Sequence, residues 1–311
     1  MKTTASTPAA FVSPWPRRFA LMTAAATLPL LFVGGLVTSM GAGLSVPDWP
    51  TTFGYNMFTY PWSKMVGGIF YEHSHRLFGS LVGFLTILLA ASLWRWESRP
   101  WLRNLGLIAL GAVILQGALG GLRVILLQQT LAIIHACFAQ MFFALAASIA
   151  LFTSPEWRES PEIKISADAQ RIQRLGLLTI GFLLLQLILG AIVRHRGEFV
   201  DLHIGGAFLA ALHILLLTNR LCRYHTDKPN LARSANRLRL LLIVQLALGL
   251  GTFLAKFTES GMFLHPYLVL LATSHVVIGA LMLATSVRIT LRSFRFLGST
   301  NLPLTLGHAS I

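Results

Sequence analysis

Acidic side chains and cysteines are scarce in this chain: its 311 residues include 11 Asp and Glu and only two cysteines. Cys137 lies within an apolar run and Cys222 beside a basic stretch, so neither a disulfide framework nor a zinc cluster can be assembled from them. Charged residues make up only 12% of the chain, 55% is hydrophobic and the mean hydropathy is +0.68. That mixture excludes an ordinary soluble domain. The charges present are mostly positive, for a net +14. A nucleic-acid binder would gather them on a basic face with stacking aromatics, whereas here Lys and Arg fall in short runs between apolar stretches. The lipid bilayer is therefore the expected partner, and nucleic acid is not.

Long apolar runs are what the sequence has in quantity. Runs of roughly 18 or more apolar residues predict eight spans, near 18–40, 69–94, 104–123, 130–152, 174–194, 201–221, 238–256 and 266–288. The first follows a basic flank and is too long for a cleaved signal sequence, so it reads as a retained helix, with residues 1 to about 15 loose. An N-terminus in the cytoplasm puts 19 of the 25 Lys and Arg on the inner side, leaving Lys64, Arg76, Arg123, Arg194, Arg196 and Lys256 outside or at the outer interface. The asymmetry predicts cytoplasmic N and C termini in an inner (plasma) membrane protein.

The chain also repeats itself. "LAIIHACFAQMFFALAASIAL" resembles "LLATSHVVIGALMLATSVRI" when His135 and His275 are aligned, and "HRLFGSLVGFLTILLA" from His75 resembles "HIGGAFLAALHILLLT" from His203. The expected fold is an all-α integral membrane protein of eight transmembrane helices in two pseudo-symmetric four-helix bundles. Its segments read as a cytoplasmic N-terminal segment 1–17, a first bundle 18–152, a linker 153–173, a second bundle 174–289 and a cytoplasmic tail 290–311.

His75, His135, His203 and His275 each lie early in an even-numbered span, and so in the outer half of the bilayer in this topology. An intramembrane histidine is costly unless it is paired, faces a cavity or binds something. Two facing imidazoles in a helix bundle can hold haem iron axially. Hydrogen bonding across helices is the plainer account of any one of them; four in repeat-matched positions favour ligation. His195, His225, His265 and His308 fall at span ends, in loops or in the tail. His73 points roughly 200° away from His75 on a helix and is an alternative ligand. His213 lies about 15 Å below His203, has no repeat partner, and fits a hydrogen bond to a neighbouring helix better than ligation.

Glu72 is three residues before His75 and shares its helix face, which puts a carboxylate beside anything His75 binds. The repeat-equivalent position is Val200, with Glu198 and Asp201 nearby but off register. The halves thus match in ligands and differ in the acid, as if one haem were held for electrons and the other worked upon. An interfacial ion pair with Arg76 explains Glu72 equally well. Arg76, Arg123 and Arg194 are candidate haem propionate partners, and Arg76 could instead simply mark the interface. The loop "GAGLSVPDWPTTFGYNMFTYPWSKMVGG" is either an interfacial aromatic belt or a cap over an apolar slot. In "LQGALGGLRV", "LQLILGAIVR" and "VQLALGLGTF", small residues and Gln116, Gln186 and Gln245 read first as helix packing with hydrogen bonds between helices.

Taken together, "GLSVPDWPTTFG", the Glu-x-x-His-Arg pattern at Glu72, His75 and Arg76, and the histidines leading spans four, six and eight resemble the haem A synthase family over nearly the whole chain. The resemblance implies a haem O methyl oxidised to formyl by two successive hydroxylations, the gem-diol then losing water. It further implies that His203 and His275 hold a permanent haem B, that His75 and His135 receive haem O as substrate, and that Glu72 is the catalytic carboxylate. Implied partners are a haem O synthase, an electron donor and the terminal oxidase under assembly; a homo-oligomer is compatible with it. Many bacterial members carry a cysteine pair in the first external loop; this loop has none, which argues against thiol-linked handover here. A quinol-linked bis-histidine cytochrome and a secondary transporter remain as alternatives, the first requiring no role for Glu72 and the second no haem.

Overall fold

The computed structural model describes residues 13–159, 161–225, 227–257 and 265–299. Eight helices in it are long and apolar enough to cross a membrane. They are Trp15–Ser39, Gly67–Trp96, Pro100–Ile125, Gln129–Phe152, Ala169–Arg196, Val200–Tyr224, Pro229–Phe257 and His265–Phe296, called spans one to eight below. Residues 1–12 of the N-terminal stretch expected to be loose, and His308, lie outside the described residues; residues 13–15 of that stretch are ordered into the start of span one, which begins at Trp15.

All eight expected spans are present, but several run further than hydropathy suggested. Span three begins at Pro100, span five at Ala169 and span seven at Pro229, and span eight continues to Phe296. Each extension is on the side rich in arginine, where the helix leaves hydrocarbon but keeps its backbone hydrogen bonds. Proline at the first position suits such a start, because its missing N–H has no partner there anyway. The extra turns carry Arg103, Arg171, Arg233, Arg237 and Arg292. We call this the basic end, and the opposite one the loop end.

Spans one to four close into one bundle and spans five to eight into another, joined along a seam of spans one, four, five and eight. At the seam Arg194 donates to the Ala272 carbonyl at 3.1 Å and, through its other terminal nitrogen, to the Gly35 carbonyl and Ser39 hydroxyl, both at 2.7 Å. Ser39 and Thr273 hydroxyls meet at 3.1 Å.

Two buried apolar clusters hold the bundles. One gathers Ala20, Leu89, Leu93, Leu102, Ala109 and Ile149 from spans one to four. The larger runs from the seam residues Leu31 and Phe143 into the second bundle at Leu217, Leu238 and Ile289. Both lie mainly in the half toward the basic end, where the helices interdigitate most tightly. The loop-end half is where the four histidines stand.

The linker is pinned rather than slack. It forms a one-turn helix Pro155–Arg158 and a two-residue strand Lys164–Ile165, which pairs in parallel with Leu297–Gly298 just beyond span eight. Glu156 accepts from Arg292 at 2.7 and 3.1 Å, and the Trp157 carbonyl accepts from Arg295 at 2.9 Å. Nearby, Glu97 is 4% exposed and accepts two bonds from the Arg99 guanidinium at 2.9 Å and one from Arg158 at 3.4 Å. Burial pushes the Glu97 carboxyl up, but the Arg99 and Arg158 contacts outweigh it and hold it below the ordinary glutamate value.

A carboxyl lowered by folding contributes stability above its unfolded pKa and loses it as pH falls through the folded one. Glu97→Gln should therefore lower the detergent-solubilised protein's unfolding midpoint by a few degrees at pH 7. That gap should close as pH falls below about 4. Thermal melts of both proteins across pH 3 to 7 check this, and a gap that does not change with pH would contradict it.

Candidate functional site

Each helical hairpin, made of an odd span and the even span after it, carries one of the four repeat-matched histidines toward its loop end. The structure brings these together in pairs, one inside each bundle. Ring centres of His75 and His135 are 6.3 Å apart with planes at 83°, and those of His203 and His275 are 6.3 Å apart at 76°. All four side chains are half-buried.

Every one of these imidazoles lies edge-on against a glycine of the preceding span. A Cβ on Gly34, Gly120, Gly190 or Gly249 would stand 2.8, 2.9, 3.1 and 3.1 Å from Cε1 of His75, His135, His203 and His275 respectively. Carbon atoms pack comfortably at about 3.5 Å or more, so any side chain there would push the ring toward its partner. The glycines set how far each ring sits back into its hairpin, and so the width between the rings.

Hydrogen bonds then orient the rings. His135 Nδ1 donates to the Gln116 carbonyl at 3.1 Å. A carbonyl only accepts, so the proton is on Nδ1 and the free lone pair on Nε2. The Gln116 amide donates to the His135 carbonyl at 3.0 Å and approaches His135 Nε2 at 3.4 Å; the Gln245 amide stands 3.2 Å from His275 Nε2. These glutamines do bond between helices, and their partners are the site histidines themselves. Nδ1 of His75, His203 and His275, Oε1 of Gln116 and Gln245, and Nε2 of Gln186 are buried with no hydrogen-bond partner among the described residues.

Glu72 is 4% exposed, with Oε1 accepting from Arg76 and Oε2 from the Val46 N–H, both at 2.9 Å. Arg76 also donates to the carbonyls of Asp48 at 2.7 Å, Thr51 at 2.9 Å and Val46 at 3.0 Å. The pair thus ties span two to the loop between spans one and two. That loop folds over the first bundle. Asp48 accepts from the Phe53 and Gly54 N–H groups at 2.7 and 2.9 Å and from the Thr51 hydroxyl. Desolvation pushes its carboxyl up, but those donors prevail and hold it at about 2. The Trp49 ring lies against Gly121 of span three so closely that no Cβ could fit there. The equivalent connection in the second bundle is short: residues 197–199 alone join spans five and six, turning at Gly197 with φ 74°. Glu198 and Asp201 are exposed there.

The remaining candidates do not join either ring pair. His73 is buried beneath the loop, its Nδ1 3.0 Å from the Thr52 hydroxyl and its ring 5.1 Å from Tyr60. His213 bonds the carbonyl of Leu209 in its own helix at 2.9 Å rather than a neighbouring helix, and its ring lies 4.4 Å from Phe182 of span five. Arg123 donates to the Gly43 carbonyl. The glycine facing His75 was missed in the sequence, because the Gln-x-x-x-Gly spacing of the other three odd spans has Leu30 before Gly34.

The pairs fit axial ligation of a porphyrin iron. Two imidazole nitrogens about 2 Å from a shared metal, each about 1 Å from its ring centre, put the centres about 6 Å apart. Among the described residues no three His, Cys, Asp or Glu side chains gather. A bare ion would lack its usual ligands, whereas a macrocycle supplies four nitrogens and needs only two from the protein.

Fold and site together define a multi-pass membrane protein with two bundle-enclosed sites suited to bis-imidazole ligation, one of them beside a buried carboxylate. The chain belongs to the COX15-CtaA family of cytochrome oxidase assembly proteins, whose sequence profile matches residues 17–204. It is similar to proteins named heme A synthase: 27% identical over 302 residues to that of Shouchella clausii (strain KSM-K16), covering 83% of this chain and 97% of the relative. The protein of that name from Alkalihalophilus pseudofirmus is 33% identical over 137 residues, covering 43% of this chain and 44% of the relative. These matches place the chain in the plasma membrane as a haem-handling enzyme.

Proposed function

We propose that this chain is a haem A synthase in which the first bundle receives haem O between His75 and His135, and the second holds a permanent haem B between His203 and His275. The observation that carries this division is the asymmetry of two otherwise matched imidazole pairs: among the described residues, only the first has a buried carboxylate, Glu72, and a folded loop above it. A resident cofactor needs ligands alone. A substrate being oxidised also needs a proton acceptor and shelter from water.

Bound haem supplies the oxidising chemistry at its iron. The protein's own work is positional. Gly34 and Gly120 fix the span between the two imidazoles, and the Nδ1–H of His135, held by the Gln116 carbonyl, turns its Nε2 lone pair into the pocket. Glu72 holds or takes a proton at its carboxylate oxygens, where Arg76 and the Val46 N–H keep it oriented. Arg123 is the best placed of the three arginines for a propionate, since the Gly43 carbonyl is its only hydrogen-bond partner among the described residues. Arg76 and Arg194 have theirs committed to the loop and the seam. With the basic end cytoplasmic, both pairs lie in the outer half of the bilayer.

Purified from cells that make haem O, the protein should yield haem A, or its hydroxymethyl precursor, beside haem B when porphyrins are extracted and identified by chromatography with mass detection. Haem B alone would favour an electron-transfer cytochrome, and absence of any haem would overturn both.

A further inference from the structure

Four hairpins share one register, and one of them breaks it. Counting back four residues from each histidine-facing glycine gives Gln116 before Gly120, Gln186 before Gly190 and Gln245 before Gly249, but Leu30 before Gly34. Four residues is one helical turn, so the side chain at this position shares the glycine's face. Gln116 and Gln245 reach the imidazole of their own hairpin at 3.4 and 3.2 Å. Gln186 reaches Gly206, three residues after His203 and on the same face of span six.

Each of the three amides keeps one atom buried and unpartnered: Oε1 of Gln116, Oε1 of Gln245 and Nε2 of Gln186. Leaving such an atom dry is unfavourable unless something else in the pocket satisfies it. In the second bundle two amides line the imidazole pair. In the first bundle there is one, and the corresponding position on the His75 side is Leu30.

On the reading given under Proposed function, we infer that this difference separates a haem that stays from a haem that leaves. The amides of Gln186 and Gln245 gain hydrogen-bond partners, directly or through ordered water, when the second pocket is filled, and they hold its haem in place. Leu30 removes one such hold from the first pocket, so that a substrate can enter and its product depart. Gln186 and Leu30 are positioning residues here and touch no reacting atom.

The test is the rate at which each haem leaves the full-length purified protein for excess apomyoglobin, followed by chromatography that separates haem B from haems O and A. One hydrogen bond corresponds to about a fivefold change. Leu30→Gln should slow release of haems O and A about fivefold and leave haem B unchanged. Gln186→Leu should speed release of haem B about fivefold without altering the others, and should shift the low-spin electron paramagnetic resonance signal of haem B. A Leu30→Gln protein that releases haems O and A at the unaltered rate or faster would overturn the inference. If that variant does not accumulate, Gln186→Leu decides: unchanged haem B release, or equal acceleration of both haems, would overturn it. Haem B alone in the unaltered protein would instead remove the synthase reading, while the Gln186→Leu release rate would still test the amide's hold.

Discussion

Glu72→Ala should retain haem in both bundles and lose oxidation of haem O by a factor of about 100 or more, the usual worth of a positioned proton-transfer group. Alanine also removes the anchor that Arg76 and the Val46 N–H share, so its effect alone would not separate chemistry from loop folding. Glu72→Gln separates them. The amide oxygen can still accept from Val46 or Arg76, and the side chain keeps its size, but an amide cannot take up and hand on a proton as a carboxylate does. If the carboxylate acts on the substrate, the glutamine variant should be as inactive as the alanine one while its loop stays as resistant to proteolysis as the unaltered protein's. If Glu72 only anchors the loop, the glutamine variant should keep most of its activity. Product analysis after turnover with haem O, beside haem content per chain, distinguishes the two outcomes.

The spans and the histidine pairs were legible in the sequence for different reasons. Hydropathy finds a span wherever apolar residues run long enough, so all eight were found, and several of their basic ends were cut short because arginine lowers the average before the helix stops. The pairs were legible because the chain repeats, which matched His75 with His203 and His135 with His275 before any distance was known. The loop was not legible in the same way. Its fold depends on carbonyls: those of Val46, Asp48 and Thr51 gather round Arg76, and every residue has a carbonyl, so no side-chain pattern announces the site. Arg76 and Arg194 looked free to meet propionates for that reason. The glycines behind the imidazoles were half visible, as three of four stood in a motif read as packing. The fourth lacked its glutamine, and only the fold put Gly34 against His75.

His275→Leu or His203→Leu should lower haem B content at least tenfold while haem in the first bundle persists, measured by extracting porphyrins and counting each type per chain. The packing argues that such variants still fold. The cluster holding the second bundle lies toward the basic end, at Leu217, Leu238 and Ile289, and the seam is held by Arg194, Ser39 and Thr273, none of which depends on the imidazoles. Leucine against Gly190 or Gly249 would fill space that the ring occupied, without adding a charge. The converse outcome, loss of the first-bundle haem with haem B kept, would reverse the assignment of the two bundles. His213→Leu is the matched control, an intramembrane histidine on the same helix as His203 whose ring is exposed and bonded to its own backbone at Leu209. It should change the content of neither haem; if it removed haem B as thoroughly as His203→Leu, the loss would report disturbance of span six rather than removal of an iron ligand.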